Sequence, residues 1–252
     1  MSELKTATGS QTESPFAVER TPRLSIMHLM LWTLCSAVYL VLIRAIYSLQ
    51  GDMPSGYATI QDASSVLQGI ITGAVFAGAI VLVSTRARIG PPMLRHPGHW
   101  FLVISALVHL IYMPVLFVSM LLMERFGMGR SLMWIYGLVL VIPLIAFSVA
   151  ARRDRTYRWK VLFVALAVMA LAQCIHLSAI GFVAGRIGSW FVVLSAISSW
   201  GSLLLAGAVV AVSIVDLVAG LRRDWLHWTG VVTHVAASSI ALLWMVGSWF
   251  IR

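Results

Sequence analysis

The stretch Trp190–Leu217, WFVVLSAISSWGSLLLAGAVVAVSIVDL, decides the fold class. Its single ionisable side chain, Asp216, lies next to its end. The run exceeds the about 20 apolar residues that a helix needs to cross the hydrocarbon core of a bilayer. A helix satisfies its backbone polar groups internally, which lipid requires of any spanning segment. Six further segments repeat the pattern: Leu24–Leu49, Ser64–Ser84, Trp100–Met123, Ser131–Ala150, Trp159–Val183 and Val231–Ile251. The expected fold is therefore an all-α polytopic membrane bundle of seven transmembrane helices, forming one domain over residues 24–252.

Composition agrees. The 252 residues are 60% hydrophobic and 11% charged, with a mean hydropathy of +0.92. Soluble domains are about 45–50% apolar and about 25% charged. Such a chain has too few polar groups to cover its apolar surface in water, and in lipid it need not. The first 23 residues are polar and of mixed charge, and are expected to form a disordered tail. The apolar segment after them is longer than the about 7–15 residues of a signal-peptide core, so it reads as a retained first span.

The net charge of +9 is distributed unevenly. Thirteen Lys and Arg fall on one side: in the tail, around Arg86–Arg95, in the run Arg152–Lys160, and at Arg222 and Arg223. Four fall on the other: Arg125, Arg130, Arg186 and Arg252. Basic connections stay in the cytoplasm. The N-terminus is thus expected inside and, after seven spans, the C-terminus outside. Interleaved with apolar segments, these charges point to anionic lipid headgroups on the cytoplasmic side rather than to nucleic acid. Other membrane proteins are the remaining class of partner. Trp100, Trp159 and Trp228 stand where cytoplasmic connections lead into helices, as interfacial anchors would.

Small residues report packing. Gly69, Gly73 and Ala77 form a small-xxx-small stripe in the second span, which lets helix backbones approach closely. Ser195, Ser199, Ser202, Ala206 and Ser213 fall near one face of the sixth. They suit helix packing or a polar lining. Pro114 and Pro143 lie inside the third and fourth spans, where each is expected to kink its helix. Arg152-Arg153-Asp154 recurs as Arg222-Arg223-Asp224, each followed by a Trp. Duplicated hairpins would produce this, and so would interface chemistry alone.

Ionisable groups inside a membrane are costly and are functional candidates. His28 and His234 lie about 6 Å and about 5–9 Å in from the cytoplasmic ends of their spans, and His109 about 13 Å in. Asp216 stands at a depth compatible with His28 and His234. These four, His28, His109, Asp216 and His234, form the candidate polar site, with Asp216 and His234 as the expected contact. A carboxylate beside an imidazole raises the His pKa and fixes its tautomer, which suits a proton relay or a metal ligand. The alternative is that each His sits at the interface or hydrogen-bonds a neighbouring helix. Ser105, His109 and Tyr112 share one face of the third span, as a solute path or an interhelical cluster would.

Catalytic motifs are lacking. There is no HExxH, GxSG, Walker or CxxC sequence. The only lysines, Lys5 and Lys160, are not mid-span, which excludes a retinal Schiff base. Cys35 and Cys174 read as buried thiols. No cofactor is expected and no metal site is read, although a haem or metal on His28 and His234 fits by depth.

The start of the first span reads Arg23-Leu24-Ser25-Ile26, His28-Leu29, Trp32-Thr33. It resembles uncharacterised multi-pass membrane proteins of planctomycete-type bacteria. The resemblance implies a bacterial inner membrane and carries no mechanism or site residue. The expected function is a non-catalytic scaffold, sensor or accessory subunit. The alternatives are a small-solute or proton-coupled transporter on the intramembrane His and Asp, and a haem- or metal-binding redox protein.

Overall fold

The computed structural model describes residues 24–48, 55–89, 94, 96–126, 133–182 and 189–250. The expected tail at 1–23 lies outside them, as do Arg130, Arg186 and Arg252. The described residues form eight helical segments and no strand. They are α1 (Ile26–Tyr47), α2 (Ser55–Ile89), α3 (Pro97–Phe126), α4 (Met133–Val139), α5 (Val141–Arg153), α6 (Tyr157–Phe182), α7 (Ser189–Val218) and α8 (Trp225–Phe250). Six stretches are long and apolar enough to cross a membrane: Ile26–Tyr47, Ala58–Thr85, Pro97–Leu122, Trp134–Arg153, Tyr157–Ala179 and Val193–Val218. Large apolar side chains face outward along them, among them Leu204 at 74% exposed and Leu110 and Val168 at 61%. That surface has lipid as its natural solvent.

Two elements differ from the sequence reading. The connection read over Gln50–Ala63 is helical from Ser55, which makes α2 the longest helix at 35 residues. Its polar first turns hide because Gln61, Ser64 and Ser65 are buried, both hydroxyls donating to the Gln61 carbonyl. The fourth span is broken at Leu140 into α4 and α5. Pro143, the third residue of α5, has no N–H for the Val139 carbonyl four residues back, which accounts for the break there. Pro114 lies within the continuous α3.

Helix α8 packs against α2, α3 and α7; α3 also meets α4 and α5, and α6 packs on α4, α5 and α7. The main core joins Trp100, Phe101, Phe147, Trp159 and Phe163 from α3, α5 and α6 with Val209 of α7 and Val231 of α8. Helices α1 and α2 meet with backbones close: a Cβ on Gly73 would stand 2.7–2.8 Å from the backbone of Ser36, and one on Gly69 2.6 Å from Leu40. Ala77, next along that stripe, is buried. Trp32 of α1 donates its indole N–H to the Ile70 carbonyl at 2.9 Å. Where α3 crosses α8, a Cβ on Gly98 would collide with the His227 backbone and one on Gly230 with the Gly98 carbonyl.

Candidate functional site

The charged side chains that fold together lie at the end of the bundle where α3, α6 and α8 begin and α7 ends. The termination of α7 creates the site. Gly220 adopts φ +70°, Gly220 N–H donates to the Leu217 carbonyl, and Leu221 N–H donates to the Asp216 carbonyl, both at 3.0 Å. This pair of bonds closes a helix on a left-handed residue and turns the chain back on itself. Arg223 therefore returns beside Asp216, and its Nη2 donates to Asp216 Oδ2 at 2.5 Å. Trp159 of α6 donates its indole N–H to the same oxygen at 2.8 Å. Asp216 and Trp159 are both fully buried.

One residue further, Asp224 precedes α8 and accepts the His227 backbone N–H at 2.8 Å, the geometry of a helix N-cap. Both its oxygens also lie 3.0 Å from His99 Nε2 of α3. Burial alone would push this carboxyl up. The bonds from His99 and the His227 N–H outweigh it and hold Asp224 below the ordinary carboxylate value. Asp154, in the turn before α6, goes the other way. Burial raises its pKa, only partly offset by the Thr156 N–H at 2.7 Å and by Arg223.

Helix α3 begins at Pro97, a residue suited to a first helical position because its missing N–H has no partner there. The next N–H, of Gly98, donates to His227 Nδ1 at 2.9 Å. A side chain of α8 thus caps α3. Arg223 Nη1 lies 3.1 Å from His96 Nδ1. His96, His99 and His227 are ring neighbours, with centroids 5.1 and 6.2 Å from His96.

The four sequence candidates do not share this site. Asp216 belongs to it, through Trp159 and Arg223 rather than His234. His234 stacks on Phe101 at 4.4 Å in the aromatic core. His28 accepts the Ser25 N–H at the start of α1 and lies over Trp225, 5.4 Å between rings. His109 pairs its Nδ1 with the Ser105 carbonyl at 2.8 Å and meets Tyr39 edge-on. Tyr112 of the same face packs on Tyr136. That face is taken up by α1 and α4. In α7, Ser202 donates to the Ser198 carbonyl and accepts from Gln173 of α6, a packing contact. Trp100 and Trp159 point into the bundle rather than to its rim. Among the described residues no three His, Cys, Asp or Glu side chains are placed to hold a metal ion. His28 and His234 belong to separate clusters of rings.

His96, His99 and His227 were not among the sequence candidates, and Arg223 and Asp224 entered only as basic-connection and repeat residues, because all five stand at the ends of the apolar segments rather than inside them. A signal was available: the dipeptide His-Trp opens two helices, at His99-Trp100 and at His227-Trp228. Each pair carries a glycine within three residues, Gly98 and Gly230. No family model, no curated protein and no solved structure matches this chain.

Proposed function

We propose that the chain is a non-catalytic membrane component, acting as a scaffold, sensor or accessory subunit, with seven spans, its N-terminus in the cytoplasm and its C-terminus outside. The observation that carries the functional reading is the closure of the ionic cluster. Asp216 is held by Trp159 and Arg223, and Asp224 by His99 and the His227 N–H. Charges arranged in this way tie helix ends together. Reconstitution tests it. Proteoliposomes carrying the protein and an internal pH dye are expected to show no proton flux under an imposed gradient. Flux abolished by Asp216→Asn would replace this reading with a proton-coupled carrier.

That carrier is the second reading, and one observation favours it. Asp216 Oδ1, Arg223 Nε, His99 Nδ1 and His227 Nε2 are buried with no protein partner. Buried polar atoms of this kind are the usual hosts of internal water, through which protons move.

The seventh span rests on α8. At 1.5 Å per residue its 26 residues extend about 39 Å, more than the hydrocarbon core. Its packing against α2, α3 and α7 supports a depth like theirs. The orientation rests on the basic residues. Arg152, Arg153, Arg155, Arg158 and Arg222 are exposed at the end bearing the cluster, where anionic headgroups of a bacterial inner membrane would meet them. A phosphatase fused after Arg252 is expected to be active and a fluorescent protein fused there dark. The reverse pattern would overturn the topology.

A further inference from the structure

We infer that the groove between α7 and α8 is a binding site for an acidic phospholipid, which lays one acyl chain along the groove and sets its phosphate at Arg222. The inference rests on the reading of α8 as a span and of the cluster-bearing end as a membrane face, and adds the lipid that this face selects.

The groove is a cavity of about 330 Å³ walled by residues of α7 and α8. Sites for small ligands start at about 300 Å³. Val210, Ser213 and Ile214 line it from α7, and Trp228, Val232 and Ala236 are among the residues that line it from α8. Small side chains at Ser213 and Ala236 leave room between the larger ones. The groove opens outward, where Val232 is 61% and Ile214 53% exposed. Its open walls are hydrocarbon: Ser213 is buried, and neither its hydroxyl nor the Trp228 nitrogen reaches the open surface. Water settles in a cavity that offers it about two to four polar partners, and finds none here. A hydrocarbon chain needs none.

Depth suits an acyl chain as well. Trp228 and Ala236 lie about 4.5 Å and about 16.5 Å along α8 from its start at Trp225. One leaflet of hydrocarbon is about 15 Å thick, half of the bilayer core. The groove therefore follows one leaflet inward from the cluster-bearing end. At its shallow end stands Arg222, exposed in the turn between α7 and α8. The carboxylates of that region do not cancel it. Asp216 and Asp224 are 0% and 9% exposed and already hold Arg223 and His99. Asp154, before α6, is outnumbered by Arg152, Arg153, Arg155 and Arg158, all exposed. Helix α2 ends at the same face with Arg86 and Arg88. The rim is positive and draws an anionic headgroup. Trp228 adds an amphipathic ring of the kind that favours headgroup depth.

A second copy of the chain is the other occupant an apolar groove could take, and charge disfavours it. Two copies inserted in the same orientation and paired through α7 and α8 bring Arg222 close to Arg222, and one basic rim to the other, at the same depth. A phospholipid brings the opposite charge to that place.

Photo-crosslinking of the full chain in nanodiscs of phosphatidylcholine tests this. The probe is phosphatidylglycerol with a diazirine in one acyl chain, at low mole fraction, and labelled peptides are mapped by mass spectrometry. It is expected to label the groove, over Val210–Ile214 and Trp228–Ala236, about fivefold more than a phosphatidylcholine probe with the same chain, the factor for one basic group at an anionic surface. Its label there should also exceed that on the outward face of α6, at the exposed Val164 and Val168. Arg222→Gln should remove the difference between the two probes. Ala236→Leu, which fills the groove, should remove the groove label and leave that on α6. Equal labelling of the groove by both probes, or phosphatidylglycerol label spread evenly over the groove and α6, would overturn the site. A groove without label, in chains that cross-link to each other in pairs, would assign it to a second copy and overturn it too. These comparisons use the natural chain, so they decide even where a variant does not assemble. The probe enters both leaflets, so the outcome does not depend on which side is the cytoplasm. The fusion at Arg252 tests the span and its orientation separately, which keeps a failure there distinct from a failure here.

Discussion

Trp159 Nε1 donates to Asp216 Oδ2 at 2.8 Å, joining the beginning of α6 to the end of α7 through two fully buried side chains. The same oxygen takes Arg223, 11% exposed, from the following turn. An indole donor and a guanidinium together make a carboxylate tolerable where no water reaches it.

Removing the carboxylate leaves both donors in place without their acceptor. Asp216→Ala is expected to destabilise the protein by about 3–5 kcal/mol, the usual result of breaking one partner from a buried ion pair. Trp159→Phe keeps the ring packing and removes one bond to a charged group, at a cost of about 1.5–3 kcal/mol. Replacing the pair together, Asp216→Leu with Arg223→Met, should cost less than Asp216→Ala alone. Thermal unfolding in a single detergent measures all three. A double variant as damaged as the single one would show that the charges are needed for more than each other.

Gly220 is held at φ +70° by the closing turn of α7. A Cβ there costs about 1–2 kcal/mol. Gly220→Ala is expected to lower stability by that amount, and Gly220→Asn by less, since asparagine tolerates the left-handed region. The space around Gly220 is open, so any loss reports the backbone alone.

Two glycines in transmembrane helices make a sharper comparison. Gly73 faces the backbone of Ser36, whereas a Cβ at Gly207 would meet nothing within 4 Å. Gly73→Ala is expected to force α1 and α2 apart, at about 1–3 kcal/mol. Gly207→Ala should be neutral or slightly stabilising, because helix-interior glycine is entropically unfavourable. Equal effects at both sites would remove close helix packing as the reason for the stripe.

Asp224 supplies a pH dependence with a definite sign. Its carboxyl is held below the unfolded value of about 3.9, so its contribution is complete above that pH and is lost as pH falls through the lower folded value. The stability difference between the natural chain and Asp224→Asn should be constant from pH about 7 to about 5 and shrink below about 4. Asp154 has the opposite sense, since its raised value means that folding favours the neutral form. Asp154→Asn should therefore be harmless or mildly stabilising near neutral pH. Denaturation of both variants across the range checks each sign.

The helices were legible because hydrophobic length is a one-dimensional signal. The runs Leu24–Leu49 and Trp100–Met123 show themselves without any knowledge of neighbours, and the observed α1 and α3 agree with them within a few residues. The start of α2 was not legible. Its first turns carry Gln61, Ser64 and Ser65, polar residues that only helix–helix contact hides. Nor was the role of Trp159, because an interfacial tryptophan and one buried against Asp216 occupy the same place in a sequence.

Sequence by itself determined the class of the molecule, the position of most helices and the presence of Asp216 in an otherwise apolar run. It did so because a bilayer imposes a length and a polarity on each helix separately. Tertiary structure alone decided which ionisable groups meet. His28 and His234 were matched to Asp216 by depth, with His109 deeper, yet the partners of Asp216 are Trp159 and Arg223. His227, just inside α8, caps α3 across the bundle. The physical reason is rotational. Depth along a helix follows from counting residues, but the direction in which a side chain points depends on how each helix is turned against its neighbours. That turning was set by Gly98 against His227 and Gly73 against Ser36.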